Sequence, residues 1–554
     1  MSNPVFHAGC CGNRPEQTEA QQEISRRAFL AAGGVLMGGL SFAAMQGAVM
    51  AAAGADPVAM PAPRKPLIVK PVLIHNIHNR PETLGRGSWR NWGDILSLEK
   101  AEEELARIRG ELAGVKQRAD YPVEILDVAR GTDIRQFNDD PDFAKCDVIL
   151  CYGAGHNING VQNFGKDVIM FQRWNSGAVY RHIITISARI LRQHTDEQAI
   201  PGIRHEDVVV DDATELDWRF RALCGLKNTR DAKIITIGGA GAWASPYGNV
   251  PEMARNRWGF EYHDVPYPEM RRIIEEAKAD SVMTARAQRR AEAHLRIPGT
   301  RLETTMQMFT DGYLLDDIFR VLMKDVGTNN ITVNSCMQAI MPASRTTACY
   351  TLTTLLDDGY QAMCESDFVA IPGAILLGNI TGKPFFWANP CFPYKGTSSM
   401  AHCSAPRKMD GRTLDPVRIM THYESDFGAA PWVEFQRGMT TTSVIQGFRA
   451  DRWVGFGGVI EDVPANYHAC RSQMTIRRNC SDDELLADNL IGFHWITVYG
   501  DYRREIGYAL RRVGIQWNNL DRTPTREMEI AQTPVPADRS PASPAPGRQR
   551  LFGR

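Results

Sequence analysis

The feature that most constrains the fold is a regular alternation of short apolar runs with longer amphipathic stretches. Residues 70–75 form an apolar run that predicts a buried strand, and the apolar spacing in 97–112 predicts a helix after it. The same alternation resumes at the strand-like run 233–237. Strands that alternate with helices indicate layers built on parallel sheets. We therefore predict an α/β protein with two Rossmann-like domains, at 67–230 and 231–382.

After residue 382 the sequence changes to short strand-like runs separated by turns. The runs 440–445 and 453–456 are typical of this part of the chain. Such runs predict an antiparallel, barrel-like and β-rich C-terminal domain over 383–520. The segment 521–554 has six Pro and few apolar residues, a composition that predicts a disordered Pro-rich tail.

The N-terminal residues have the pattern of an address signal. Residues 25–30 read Ser-Arg-Arg-Ala-Phe-Leu, the twin-arginine pattern of a bacterial export signal, and the chain stays uncharged and rich in Ala and Gly up to residue 55. We predict a signal peptide at 1–55, a linker at 56–66 and a periplasmic or otherwise exported protein. The uncharged run exceeds the roughly 20 residues that span a bilayer, so a membrane tether formed by an uncleaved signal stays open.

Composition excludes some partners. The formal net charge is −1, and without a basic excess we expect no nucleic-acid partner. The twelve cysteines include no CxxC pair, which argues against a zinc ribbon or a thioredoxin-like site. Because the twin-arginine route exports folded proteins, the thiols can stay reduced, and we expect no essential disulfide.

A glycine-rich turn follows the strand-like run of the second α/β domain. Gly239, Gly241 and Ala244 match a loose dinucleotide-binding fingerprint. That interpretation requires a helix to begin at once, and Pro246 and Gly248 interrupt the position. A tight turn between strand and helix is the commoner explanation. A secreted NAD-linked oxidoreductase therefore stays a weaker alternative.

Two carboxylates close a polar loop in front of the apolar run 368–380. If the loop is extended, Glu365 and Asp367 face the same side because they are two residues apart. Such a pair can hold a metal ion or carry a proton. The alternative is a helix N-terminus, with the acids complementing the dipole and Asp367 as the N-cap.

Two histidines lie in apolar surroundings. His494 belongs to the strand-like run 491–499, where a lone imidazole is a core residue more often than a ligand. His402 precedes Cys403, but adjacent side chains point apart, so the two are poorly arranged as a nucleophile and its base. A buried cysteine beside a functional histidine fits better.

Further polar residues are typical of sugar-binding surfaces. The alternation in 421–425 predicts that His422 and Glu424 share one face of a strand. Trp89 and Arg90 belong to a loop in which aromatic and polar residues mix, a surface that stacks on sugar rings or simply packs.

Taken together, these motifs resemble the L-fucose/L-arabinose isomerase-like superfamily, and the fucose isomerase branch most closely. The resemblance covers about residues 70–515. It rests on Glu365 and Asp367 followed by the metal-ligand position 389, on Ala-His-Cys-Ser-Ala-Pro with Thr-His-Tyr-Glu-Ser at 421–425, and on the run 492–500 around the family's metal-binding histidine.

The resemblance implies a set of site residues. Glu365, Asn389 and His494 would bind Mn²⁺ or Mg²⁺, and Glu365 would also act as acid and base. Asp367 is the nearby carboxylate that could substitute for a missing second acid, so we assign Glu365 and Asp367 as catalytic. Position 389 departs from the family's pattern, because Asn stands where the family has Asp. An amide oxygen still coordinates a hard cation, but it adds no negative charge and takes up no proton.

The remaining site residues are assigned to the substrate. We expect His402, Glu424, Trp89 and Arg90 to contact it. The implied reaction is aldose–ketose isomerisation through an enediol, in which a metal polarises the sugar oxygens and a base moves a proton. The family builds its site between subunits, which implies a homo-oligomer, with a hexamer as one form. A non-catalytic carbohydrate-binding or scaffold protein on the same fold stays the alternative.

Overall fold

The computed structural model describes residues 58–77, 95–155, 157–191, 203–243, 245–465 and 468–522. The predicted signal peptide, the predicted Pro-rich tail beyond Arg522, and the predicted substrate contacts Trp89 and Arg90 lie outside the described residues. Within the described part, no helix combines the length and the apolar character needed to cross a membrane.

Strands and helices alternate as far as residue 381, and strands dominate afterwards. The strands are β1 (Leu67–Ile74), β2 (Val123–Ile125), β3 (Ala129–Gly131), β4 (Val148–Gly153), β5 (Asp167–Gln172), β6 (Val208–Val210), β7 (Lys233–Ile237), β8 (Glu261–Val265), β9 (Thr300–Leu302), β10 (Asn330–Val333), β11 (Gln361–Cys364), β12 (Phe386–Pro390), β13 (Thr397–His402), β14 (Val417–His422), β15 (Phe427–Val433), β16 (Thr440–Gln446), β17 (Arg452–Asp462), β18 (Ser472–Arg478), β19 (Trp495–Tyr499) and β20 (Gln516–Asn519). The α-helices are α1 (Leu98–Arg118), α2 (Pro141–Lys145), α3 (His182–Arg189), α4 (Glu215–Thr229), α5 (Val250–Trp258), α6 (Tyr267–Ala279), α7 (Ser281–Leu295), α8 (Met306–Val326), α9 (Cys336–Ser344), α10 (Cys349–Asp357), α11 (Ile371–Thr381), α12 (Asp483–Ala487) and α13 (Arg503–Arg511).

The first α/β unit is built on a parallel sheet with a core on each face. Its strand order is β2-β1-β4-β5-β6, and β3 also pairs with β1. Along β1, Val69 and Leu73 face one core, whereas Val72 and Ile74 face the other. Successive side chains of a strand point to opposite faces, so burial on both sides explains why β1 is apolar at every position except Lys70.

The second α/β unit has a smaller parallel sheet, of order β11-β10-β7-β8. Helix α8 packs against β7 and β10, and helices α10 and α11 pack against β11. The predicted strand 233–237 coincides with β7. The carboxyl ends of β7 and β11 lead into the glycine-rich turn and into the loop that carries Glu365.

The C-terminal strands close into a barrel. Strands β16, β19, β12, β13, β18 and β17 pair in this order, and β17 pairs again with β16. All six pairings are antiparallel, and β20 adds to β17 as a parallel strand. The prediction of parallel α/β layers followed by an antiparallel barrel-like domain is therefore confirmed.

The barrel and the α/β units are joined at several points. Strand β9 of the second unit pairs with β14, and helices α11 and α13 both pack against α4 of the first unit. The buried carboxylate of Asp357, at the end of α10, accepts hydrogen bonds from the backbone N–H groups of Arg407 (2.7 Å) and Lys408 (2.9 Å). Burial raises the pKa of this carboxyl from 3.8 to about 7, although Lys408 and Arg407 oppose the shift.

We predict that Asp357→Asn flattens the pH dependence of stability. The protonated carboxyl is favoured in the folded state, so its stabilising effect is present below about pH 4 and is lost as the pH rises to about 7. Relative to the variant, the wild type should lose up to about 1.4 kcal/mol of unfolding free energy per pH unit in this window. Urea unfolding at several pH values measures the difference.

The exposed Asp139 provides the matched control, because Asp139→Asn makes the same chemical change on the surface. Parallel pH profiles for the wild type and Asp357→Asn would contradict the assignment of this buried carboxyl.

Candidate metal centre

The acidic loop that follows β11 has an unusual backbone. Glu365 and Ser366 have φ angles of 63° and 45°, in the left-handed region that non-glycine residues rarely adopt. Helix α11 begins only at Ile371, with Ala370 as its N-cap. The loop is therefore neither an extended strand nor a helix N-terminus capped by Asp367, and the expectation that Glu365 and Asp367 share one face of a strand is wrong.

The glycine-rich turn holds this loop in place. The N–H of Gly241 donates to the carbonyl of Ser366 (3.1 Å), and the carbonyl of Gly241 accepts from the N–H of Phe368 (3.0 Å). Gly238 has a φ of 80°, and a Cβ atom there would overlap the ring of Tyr267. The next helix, α5, begins only at Val250. The turn thus lacks the adjoining helix N-terminus that a dinucleotide site requires.

The imidazole of His494 lies between the two carboxylates. Its Nε2 atom is 2.7 Å from Oε2 of Glu365, and its Nδ1 atom is 2.7 Å from Oδ2 of Asp367. Asp367 is fully buried, and its Oδ1 atom also accepts a hydrogen bond from the N–H of Val369 (3.1 Å). Asp367 therefore fixes the ring so that Nε2 faces Glu365.

A second imidazole completes a candidate metal triad. His402 ends strand β13, is 4% exposed, and contacts the hydroxyl of Ser404 through Nδ1 (2.9 Å). The potential ligand atoms of Glu365, His402 and His494 all lie within 4.8 Å of one another. We predicted His402 as a substrate contact, and the structure places its imidazole among the candidate metal ligands.

Asn389 lies on the neighbouring strand β12. Ala388 of β12 pairs with Trp495 of β19 in the antiparallel register. Asn389 and His494 are the next residues along these two strands and therefore lie opposite each other. The Oδ1 atom of Asn389 is buried and has no hydrogen-bond partner in the described structure. An orphaned buried oxygen beside the triad is what a fourth ligand position requires.

The short contact between Glu365 and His494 does not have the direction of a hydrogen bond. Oε2 of Glu365 and Nε2 of His494 are both buried without a hydrogen-bond partner among the described residues, although they are 2.7 Å apart. Two ligands of one ion would approach each other in this way, because each would direct a lone pair toward the ion. The geometry therefore fits a divalent ion held by these residues.

The protonation states of the triad follow from its surroundings. Burial raises the pKa of Glu365, but the imidazoles of His494 and His402 outweigh it and hold the value below 4.5. Burial, reinforced by the nearby His494, lowers the pKa of His402. Burial alone would lower the pKa of His494, but Asp367 and Glu365 raise it above 6.5. Glu365 and His402 thus stand ready in their metal-binding forms, whereas His494 must release a proton to bind.

Aromatic rings lie beside the open side of the site. The side chain of Glu365 is 35% exposed, whereas His494 and Asp367 are sealed from solvent. Trp243, 44% exposed and part of the glycine-rich turn, stacks on Phe493 with ring centroids 4.1 Å apart and lies 5.6 Å from the ring of His494. We did not single out either ring from the sequence, although Phe493 directly precedes His494.

The remaining predicted contact lies in a different environment. Strand β14 ends at His422, and Glu424 is exposed in the turn that follows. The expectation that His422 and Glu424 share one face of a strand is therefore wrong. His422 is buried beside Cys403 and does not belong to the triad.

No protein-family model matches this chain, and no curated protein matches it either. The chemistry of the site is therefore inferred from its own side chains. One carboxylate and two imidazoles are ligands of divalent first-row transition metals such as Mn²⁺, Fe²⁺ and Zn²⁺. The amide oxygen of Asn389 is a further oxygen donor of the kind that hard cations accept.

We predict that Asp367→Asn weakens divalent-metal binding by about 10- to 100-fold, because partners that orient a ligating imidazole typically contribute that much. Calorimetric titration of the purified protein with Mn²⁺ measures the affinity. Ser366→Ala is the matched control, since the hydroxyl of Ser366 is buried in the same loop without a partner. Unchanged affinity in Asp367→Asn would refute the orienting role.

Proposed function

We propose that this chain is an exported, divalent-metal-dependent sugar isomerase that interconverts an aldose and a ketose through an enediol. The convergence of Glu365, His402 and His494 beside the orphaned oxygen of Asn389 carries the proposal. The motif resemblance to the fucose isomerase branch supports it, as does the twin-arginine pattern for export to the periplasm. The proposal includes a homo-oligomer and Rossmann-like α/β domains in front of the barrel.

The donor set narrows the choice of metal. Mg²⁺ prefers oxygen ligands and keeps most of its water, whereas imidazole suits transition metals. Two imidazoles in the triad therefore argue against Mg²⁺, and of the two ions that the motif resemblance implies we propose Mn²⁺ as the resident ion. When bound, the ion would supply Lewis-acid polarisation of the oxygens on the two neighbouring sugar carbons that exchange oxidation state.

Side chains of the protein would supply proton transfer, positioning of His494 and contact with the sugar ring. Glu365 is the base that takes the proton from one sugar carbon and returns it to the next, because its carboxylate is ionised and partly exposed. Asp367 is sealed from solvent and engaged by His494 and Val369, so it acts as a positioning residue rather than as the catalytic residue we expected. The rings of Trp243 and Phe493 provide an apolar wall for a sugar ring.

We predict that Glu365→Gln lowers isomerase turnover by about 10²–10⁴-fold, the usual contribution of proton-transfer catalysis. The variant should also bind Mn²⁺ more weakly, because it loses the anionic ligand of the triad. Aldose–ketose conversion of a panel of pentoses and 6-deoxyhexoses with the Mn²⁺-loaded protein measures the first effect, and calorimetry measures the second.

Glu124→Gln, an identical change at an exposed position of β2, is the control for folding and for metal loading. Full turnover in Glu365→Gln would remove Glu365 from the reaction and, with it, this proposal.

We predict that Asn389→Asp tightens Mn²⁺ binding by about tenfold or more, because it places a negative charge where a neutral oxygen now lies without a partner. Calorimetry on both proteins gives the ratio of affinities. Asn163→Asp adds the same charge at an exposed site and separates local coordination from the effect of net charge. Equal affinity in Asn389→Asp and the wild type would show that this position does not reach the metal.

A second candidate function is a non-catalytic carbohydrate-binding or scaffold protein. The neutral side chain of Asn389 favours it, because a site without a second ligating carboxylate holds an ion less tightly and lacks a second group for proton transfer. Sugar binding that does not depend on Mn²⁺, together with the absence of turnover, would support this function over the isomerase.

A further inference from the structure

A cluster of thiols lies next to the candidate metal centre, because Cys403 directly follows His402. Cys349 and Cys403 pack with Ala430 in a small buried core, and the partly exposed Cys470 packs against it. We refer to Cys349, Cys403 and Cys470 as the thiol cluster. The ten cysteines in the described part of the chain are all free thiols. Neither the metal centre nor the proposed isomerase reaction uses these three.

Strand pairing brings two members of the cluster together. His402 of β13 pairs with Ser472 of β18, so Cys403 leaves one strand where Cys470 and Arg471 enter the other. The N–H of Arg471 donates to Sγ of Cys403 at 3.5 Å. The side chain of Cys470 packs against the small buried core that Cys349 and Cys403 form with Ala430. The sheet therefore holds the thiols of Cys403 and Cys470 close together.

The cluster is arranged for sulfur–sulfur chemistry rather than for metal binding. Cys403 lies beside His422 and packs in the same cluster as Cys470. Among the described residues, however, Glu365, His402 and His494 are the one group of three or more potential ligands that converge within 4.8 Å. The thiols and His422 therefore do not surround a common point, as a tetrahedral site would require.

We propose that Cys403 and Cys470 form a redox-active dithiol that a low-molecular-weight disulfide oxidises to an intramolecular disulfide. The proposal is independent of the proposed isomerase function. Cys470 has the exposed surface needed to meet the oxidant, whereas Cys403 is 3% exposed and is reached only from within the protein. In this proposal Cys470 therefore reacts first, and Cys403 reacts second.

The exchange proceeds in two displacements. The sulfur of Cys470 attacks one sulfur of the small disulfide, whose S–S bond breaks as the Cys470 mixed disulfide forms and the first small thiolate leaves. The sulfur of Cys403 then attacks the sulfur of Cys470, breaks the mixed disulfide and releases the second small thiolate. The protein loses two electrons and two protons, and the small disulfide becomes two thiols. The new bond links β13 and β18 immediately beside the ligand His402.

The test uses the folded full chain and oxidised glutathione as the probe. After incubation, free thiols are blocked with iodoacetamide in denaturant, and the peptides are analysed by mass spectrometry. We expect a peptide pair cross-linked between Cys403 and Cys470, with both residues lost from the alkylated pool, and full reversal by dithiothreitol. Cys470→Ser should abolish the cross-link. Cys391→Ser, which removes an exposed thiol outside the cluster, should leave it unchanged.

Two results would overturn the proposal. The first is full alkylation of Cys403 and Cys470 in samples where the exposed Cys391 carries glutathione. The glutathione on Cys391 would show that the oxidant had reacted with an accessible thiol. The second is a bond between Cys349 and Cys403, or a mixed disulfide that persists on Cys470. The comparison of the wild type with Cys470→Ser is sufficient for the test. Cys403→Ser is not used, because it changes a buried residue beside the candidate ligand His402.

Discussion

The contact on which the site depends is the imidazole of His494 held between Glu365 and Asp367. The two carboxylates come from the loop after β11 in the second α/β unit, whereas the imidazole comes from the start of barrel strand β19. Burying an imidazole without hydrogen-bond partners costs free energy. Because these carboxylates pair with His494, they stabilise the docking of the barrel against the α/β unit. The same contact joins the two parts of the fold and brings the candidate metal ligands together, so the site depends on the junction between them.

Charge balance explains why an amide is tolerated at position 389. Glu365 and Asp367 already bring two carboxylates to a largely buried region, where His494 offsets part of their charge. A third carboxylate at Asn389 would add repulsion that only a bound cation could offset. Because an amide is neutral, Asn389 avoids this repulsion in the protein without metal. For the same reason, Asn389 would bind a metal ion less tightly than a carboxylate at this position. The residue at this position thus sets a balance between stability without metal and retention of metal.

The sequence predicts the regular parts of the fold well and the site only in part. Strand β7 coincides with its apolar run 233–237, because burial on both faces leaves a continuous apolar signal. Glu365 and His494 do meet, as the motif resemblance implies. The contribution of His402 is not visible in the sequence, because the pairing of distant strands brings it to the triad. The left-handed backbone at Glu365 also escapes prediction, because the residue is not a glycine and tertiary contacts impose the conformation.

The glycine-rich turn illustrates how local pattern and function separate. Its spacing matches a dinucleotide fingerprint, yet both backbone polar groups of Gly241 are used by the acidic loop at Ser366 and Phe368. A phosphate would need N–H groups that are free and a helix that begins at the turn, and α5 begins only at Val250. A glycine is required in this turn at Gly238, where φ is 80° and a Cβ atom would overlap the ring of Tyr267. Because Trp243 extends from the same turn toward His494, one short segment both supports the acidic loop and lines the open side of the metal centre.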